Sequence, residues 1–305
     1  MKISIIIPAL NEGQYLPLLF KSIQKQSFKD CEVIVADGHS KDNTVAIAEQ
    51  FGAKVVKGGM PAKGRNSGAA AAKGASLFFF DADVILPDGF LQKAYDEMQD
   101  RHLDLATCEV LPLSDLQIDK VLHNLANLSI RMNQYANPHA GGFCILCTKR
   151  LFESAGGFDE SLTMAEDHDF VKRASRFSPL RVLDSTQISV SVRRFEKEGR
   201  TVLVSKYIEV ELHRIFKGEL KTDVIEYEFG NFQKKSPEKQ SKRLAAFEGR
   251  LVRMDKRLRE LRDRFNSVES VWDAMPPKKL MATLKTQFEK AKDSLATLIN
   301  TIKIE

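Results

Sequence analysis

Four short apolar runs alternate with helix-patterned stretches over the first 101 residues, and this alternation restricts the fold more than any other feature. Residues 3–8 (I-S-I-I-I-P) form an apolar run closed by proline, the pattern of a strand buried on both faces of a parallel sheet. Runs of the same kind occupy residues 32–36, 53–57 and 77–80. Residues 12–26 place Leu16, Leu19, Phe20 and Ile23 on one helical face. Residues 44–51, 63–73 and 90–101 also read as helices, the middle one rich in alanine. Strands and helices in strict alternation predict an α/β domain with a mostly parallel, Rossmann-like sheet. The balance of 43% hydrophobic and 29% charged residues among 305 excludes a wholly disordered or collagen-like chain.

From residue 104 the pattern loosens. Residues 105–111 and 143–148 read as strands, and residues 115–135, 149–155 and 166–177 as helices. Residues 188–192 alternate as an edge strand does. Residues 201–217 are amphipathic through Val202, Tyr207, Ile208, Val210, Leu212, Ile215 and Phe216. Two readings stand: a helix packed on the body, or a helix lying on a membrane surface.

The tail has the clearest periodicity. Leu244, Phe247, Leu251, Met254, Leu258, Leu261 and Phe265 fall at alternating steps of three and four, an a/d seam over about three heptads. Pro276-Pro277 breaks it, and Leu280, Leu284, Phe288, Ala291, Leu295 and Leu298 form a second apolar face. A helical hairpin or coiled coil over residues 232–305 is expected, behind a linker at residues 233–237. Residues 1–231 then form the main body, with a core to about residue 195 and a helical extension over 196–231.

The net charge of +5 is uneven. Residues 232–305 hold 18 Lys and Arg against 10 Asp and Glu, a net of +8, so residues 1–231 carry −3. The basic tail suits a partner helix, a second copy of the chain or an anionic membrane. Its positive residues surround an apolar seam without interleaved aromatics, which argues against nucleic acid. The apolar start is too short for a signal peptide, and no apolar run reaches about 18 residues. Four Cys in 305 residues are too few for a disulfide scaffold. A cytoplasmic setting is expected, with peripheral contact at the inner face of a membrane as an extension of it. Cys144 and Cys147 stand three apart on a strand and so face opposite ways, which predicts core cysteines rather than a metal site.

Chemistry concentrates where strands end. Glu12 follows the first strand, Asp37 ends the second, and Asp81-Ala82-Asp83 ends the fourth. Ligands of open parallel sheets bind beyond the carboxyl ends of the strands. Two carboxylates on a strand-end turn can hold a hard divalent ion that also touches phosphate oxygens. Ser40 and Asp42 read as caps of the following helix. Further on, Glu166-Asp167-His168-Asp169 opens a helix with four ionisable groups. A helix start favours acidic residues through its dipole, but four such groups exceed that need, and one is a candidate general base.

Taken in order, I-x-I-I-I-P-A-L-N-E, V-I-V-A-D-G-x-S-x-D-x-T, G-R-N-x-G, F-D-A-D, G-G-F-D-E and E-D-H-D-F resemble family 2 glycosyltransferases of the GT-A fold over about residues 2–192. The resemblance implies a nucleotide-sugar donor, with UDP or GDP as the carrier, and an inverting transfer assisted by Mn2+ or Mg2+. It implies that Pro8, Ala9 and Glu12 line the nucleotide pocket and that Asp37 meets the base or ribose. Arg65 would approach the base or phosphates, Asp81 the ribose or metal, and Asp83 the metal. Asp167 matches the catalytic base, with Glu166 beside it. His139 precedes Ala140-Gly141-Gly142, where the family shapes the donor-sugar pocket. His168 is open between a metal ligand, a proton partner and a helix-surface histidine, and Arg193-Arg194 between a diphosphate clamp and a surface pair.

Two other readings bear on the same residues. A nucleotidyltransferase would want a Gly-rich, arginine-bearing loop after the first strand, where this chain has P-A-L-N-E. A non-catalytic scaffold presenting the coiled coil would not need Asp81, Asp83 and Asp167.

Overall fold

A computed structural model describes residues 1–134 and 137–198, with residues 249, 252–253, 255–256, 258–260, 262–263 and 286 of the tail. The chain divides into two units. The first holds Met1–Leu111 and Asn133–Ser191, and the second holds Pro112–Met132 together with the described residues beyond 191.

The first unit is built on strands β1 (Ile3–Ala9), β2 (Cys31–Asp37), β3 (Lys54–Lys57), β4 (Ser76–Phe79), β5 (Val84–Ile85), β6 (Leu105–Pro112), β7 (Ile145–Thr148) and β8 (Arg181–Val190). They form one sheet in the order β3-β2-β1-β4-β7-β6-β8-β5. The half containing β1 to β4 is parallel, with Ile6 paired to both Ile34 and Phe79. The other half is mixed in by antiparallel pairing of β7 to β4 and β6, and of β5 to β8.

The alternation of β1 and β4 divides two cores. Ile5, Ile7, Phe78 and Phe80 face one side, where α1 (Leu16–Gln24), α2 (Thr44–Gln50) and α4 (Phe90–Asp100) supply Leu19, Phe20, Ala48 and Leu91. Ile6, Leu77 and Phe79 face the other, against Ala69 of α3 (Pro61–Ala71), Leu151 of α6 (Lys149–Ser154) and Phe170 of α7 (Glu166–Ala174). Both sides of the strands are dry, which explains their unbroken apolar sequence. Cys144 joins the first core and Cys147 the second, as their spacing predicts.

Helix starts follow proline. Pro17 and Pro61 stand in the first turns of α1 and α3, where a missing N–H costs nothing. Helix α1 therefore begins at Leu16, later than the periodicity alone predicts. The small residues of α3 let it press on β1: a methyl group at Gly68 would sit 2.4 Å from Ile6 Cγ2. Gly68→Ala is expected to destabilise the protein by about 1–3 kcal/mol despite the higher helix propensity of alanine. Urea unfolding measures this, and a variant as stable as the parent would contradict the packing argument.

One expectation fails. Residues 188–192 alternate as an edge strand does, but β8 runs from Arg181 and lies between β6 and β5. The two-residue β5 is the edge instead. The polar stretch D-S-T-Q conceals the start of β8, because only Val182, Leu183 and Ile188 are fully buried along it.

In the second unit, α5 (Gln117–Asn133) buries Asp119, His123, Asn127 and Arg131, a polar stripe at four-residue spacing. His123 Nδ1 meets the Asp119 carbonyl at 2.7 Å, and its ring lies edge-on to Phe195 of α8 (Arg193–Glu198). Burial pushes the His123 pKa down. The described tail positions from 249 to 263 are helical. Leu258, on the expected seam, is buried, whereas Val252, Arg253, Lys256 and Arg259 are exposed. The buried Asp255 pairs with Arg259 at 2.6 Å and accepts a hydrogen bond from Asn124 of α5. The rest of the seam, the second tail helix, the amphipathic stretch 201–217 and the boundary near residue 231 lie outside the described residues. No helix among the described residues is long and apolar enough to cross a membrane.

Candidate active site

The loops after β1 and β2 are fastened together at the carboxyl end of the sheet. Asn11 N donates to Ser40 Oγ, Lys41 N to Asn11 Oδ1, Glu12 N to Thr44 Oγ1 and Gly13 N to an Asp42 carboxylate oxygen, all within 2.8–2.9 Å. Asp42 also accepts from Thr44 N and Oγ1. These hydrogen bonds outweigh partial burial and hold its carboxyl below the ordinary range. Ser40 and Asp42 therefore join two loops rather than only capping a helix. Asp37 folds onto its own loop, accepting from His39 N at 3.1 Å and Ser40 N at 3.2 Å. Pro8, Ala9 and Glu12 lie on the β1 side of this junction, and Glu12 is buried.

Arg65 organises the next part. It lies on α3 and is only 3% exposed. Its Nη2 meets Asp81 Oδ1 at 2.9 Å and its Nη1 meets Glu166 Oε1 at 2.5 Å. The guanidinium also lies 5.4 Å from the Phe158 ring centre. Burial alone would lower its pKa, but the charges of Asp81, Glu166 and Asp167 prevail and hold it above its usual value. Glu166 is shifted up, first by burial and then by the neighbouring Asp167 charge, with Arg65 opposing. Arg65 Nε is buried with no acceptor among the described residues.

Asp167 lies beside this pair at the start of α7. Gly142 N donates to its Oδ2 at 2.7 Å and His168 N to its Oδ1 at 2.8 Å, so both carboxylate oxygens are oriented by backbone. Residue 142 is crowded: a methyl group there would sit 2.0 Å from Arg65 Nη2 and 3.1 Å from Asp81 Oδ1, so the Arg65 fork would have to shift. The His139 ring stacks on the His168 ring at 5.2 Å, and His168 Nε2 lies 3.9 Å from Asp167 Oδ1. Asn66, next to Arg65, clamps the Gly156-Gly157-Phe158 turn through bonds to both Phe158 N and Phe158 O.

The structure thus brings Arg65, Asp81, Glu166, Asp167, His139 and His168 together. Asp83 follows on the same turn as Asp81, and its carbonyl accepts from Ser191 N at 3.1 Å. Arg193 and Arg194 belong to the second unit, where they open α8. Sequence reasoning missed the Gly142 amide, the Asn66 clamp and the Asn11–Asp42 junction.

The glycosyl transferase family 2 profile matches residues 4–153. That stretch of the chain belongs to glycosyl transferase family 2. GlyG, a glycosyltransferase of Streptococcus pneumoniae, is 30% identical over 112 residues, which is 34% of this chain and 37% of that protein. The uncharacterised glycosyltransferase EpsJ of Bacillus subtilis is 27% identical over 193 residues, 57% of this chain and 56% of that one. The chain thus spans between about a third and just over half of the length of these curated relatives. Among solved structures, residues 1–349 of S. aureus TarS with UDP-GlcNAc align at a TM-score of 0.54 and 19% identity, covering 99% of this chain and 92% of that one. The Pyrobaculum calidifontis mannosyltransferase PcManGT with GDP-Man and Mn2+ aligns at 0.56 and 16% identity, covering 95% and 85%. At these identities the structures show the fold, which is the GT-A α/β fold of the family 2 resemblance.

Proposed function

We propose that this chain transfers a sugar from a nucleoside-diphosphate sugar to an acceptor hydroxyl with inversion, and that Asp167 is the general base. The observation that carries this is the convergence of Asp81, Arg65, Glu166 and Asp167 beyond the carboxyl end of β4. A single oriented carboxylate suits one direct displacement: it takes the acceptor proton as the hydroxyl attacks the sugar carbon. The leaving diphosphate needs positive charge, and Arg65 brings the nearest buried guanidinium. Its buried Nε–H, a donor without an acceptor among the described residues, suits an oxygen of the nucleotide.

The donor set also fits a divalent cation. Among the described residues no three His, Cys, Asp or Glu side chains gather as ligands. Asp81 and Asp83 alone suit an ion of the Mg2+ or Mn2+ kind, which is held by one or two carboxylates and completes its shell with water and phosphate. Such an ion would neutralise charge on the leaving diphosphate. Glu166 keeps Arg65 in place, and the junction of the β1 and β2 loops shapes the nucleotide end.

UDP-sugars and GDP-sugars, each with and without Mn2+, are the direct test. One donor at 100 times its Kd is expected to add about 2.7 kcal/mol to the stability, read as a raised melting temperature. Asp83→Ala is expected to remove the Mn2+-dependent part only. A chain that no nucleotide sugar stabilises would overturn the reading.

A further inference from the structure

Arg65 is held at both tips of its fork and on a face. Its Nη2 meets Asp81, its Nη1 meets Glu166, and its guanidinium carbon lies over the Phe158 ring, 5.4 Å from the centre. Two tip contacts define an axis, and a planar group can still swing about that axis. The Nε–H lies off the axis, so its aim depends on what blocks the swing. The Phe158 ring is placed to do so, and it is itself fixed from two helices. Asn66 follows Arg65 on α3; its Oδ1 accepts from Phe158 N at 2.9 Å and its Nδ2 donates to Phe158 O at 2.8 Å. The same Nδ2 reaches Glu160 Oε1 at 2.9 Å. From α7, Arg173 donates to Ala155 O and to Gly157 O in the same turn. Gly157 has a left-handed φ of 68°, and a methyl group there would sit 2.8 Å from Asn66 Oδ1. Backbone and crowding both favour glycine at that position.

We infer that Phe158 is a positioning residue for Arg65, and that Asn66 sets its ring in place. The ring stops the guanidinium from swinging about its two carboxylate contacts and so fixes the direction of the Nε–H. An aromatic face also attracts the charged group, which an aliphatic side chain does not. Phe158 is a core residue as well, stacked on Phe170 at 4.4 Å and edge-on to Phe79 at 5.2 Å. Core packing accounts for its burial. It does not call for a ring over a buried guanidinium, nor for a main-chain clamp from the residue next to that arginine. The consequence for binding rests on the nucleotide-sugar reading, in which the Nε–H meets an oxygen of the nucleotide, while the hold on Arg65 is testable without any ligand.

Urea unfolding of Phe158→Leu, Arg65→Met and the double variant tests the hold on Arg65. The two losses are expected to depart from additivity by about threefold or more in the unfolding constant. Phe152 packs on Phe79 and Phe170 as Phe158 does, so Phe152→Leu with Arg65→Met is the core control and is expected to be additive. If Arg65→Met does not unfold cooperatively, Arg65→Met with Glu166→Gln replaces it in the same cycle, because that pair buries no lone charge. Additive losses for Phe158 overturn the proposal. Calorimetric titration of the full chain with UDP and with GDP, each with Mn2+, tests the aim of the Nε–H. Phe158→Leu is expected to weaken binding of the nucleotide that the parent takes by about tenfold, as a lost charged hydrogen bond does. Asn66→Ala is expected to act in the same direction with every ring in place, and Phe158→Tyr to stay within about threefold of the parent. Phe152→Leu is expected to stay within about twofold, since its loss is one of packing alone. Equal weakening by Phe158→Leu and Phe152→Leu overturns the positioning role, as does nucleotide binding by Phe158→Leu within about threefold of the parent. A parent that binds neither nucleotide while the unfolding cycle stays coupled keeps Phe158 as the support of Arg65 and removes the nucleotide reading.

Discussion

Replacing Asp167 with Asn is expected to slow sugar transfer by about 10²–10⁴-fold, the usual contribution of a positioned general base. Donor affinity should stay within about twofold, because the nucleotide end proposed above is built from the β1 and β2 loops and Arg65. The substitution is nearly isosteric, but it is not silent in the fold. Both Asp167 oxygens accept a backbone N–H, from Gly142 and from His168. An amide keeps one acceptor and turns an NH2 group toward the other donor, a mismatch costing about 1–3 kcal/mol. Melting temperature and donor Kd should therefore be measured beside the rate. A rate loss with the fold and donor binding intact places Asp167 in the chemistry. Transfer within threefold of the parent would remove it from that role.

The second large effect falls on Arg65. Arg65→Met keeps length and loses charge, leaving Glu166 buried beside Asp167 without its counter-ion. Breaking a buried pair by removing one partner costs about 3–5 kcal/mol. The lower end is expected, because the Asp81 side chain is 40% exposed and can turn to water. Urea unfolding should show the loss, and Arg65→Met with Glu166→Gln should recover part of it, since the double variant buries no lone charge. A pH dependence accompanies this. Glu166 already titrates above its ordinary value in the folded chain, so its share of stability is fully present below the unfolded pKa. That share is lost as pH rises through the folded pKa. Without Arg65 the folded value rises further, so the variant should lose more stability than the parent between acid and neutral pH. Parallel pH profiles for the two would refute the coupling.

Much of the fold was legible because it depends on local periodicity. The apolar run of β1, the proline in the first turn of α3 and the separate faces of Cys144 and Cys147 are each set by neighbours within a few residues. The strand that was misread, β8, is the one whose polar middle hides its burial. The candidate site was legible as an inventory: Asp81, Glu166 and Asp167 were identified by type and position in the chain. What each touches was not. Arg65 was expected at the nucleotide; what the structure shows is the cation that holds Asp81 and Glu166, 16 and 101 residues away in sequence.

The sequence by itself therefore determined the layering of an α/β body, the acidic groups at its strand ends and the periodicity of its tail. Hydrophobic burial selects these through spacings of two and of about 3.6 residues, which any short window displays. Only the tertiary structure decided which carboxylate is pinned by Arg65 and which is oriented by the Gly142 and His168 amides. Electrostatic surroundings arise from groups that folding brings together across long loops, and no local pattern in the chain encodes them.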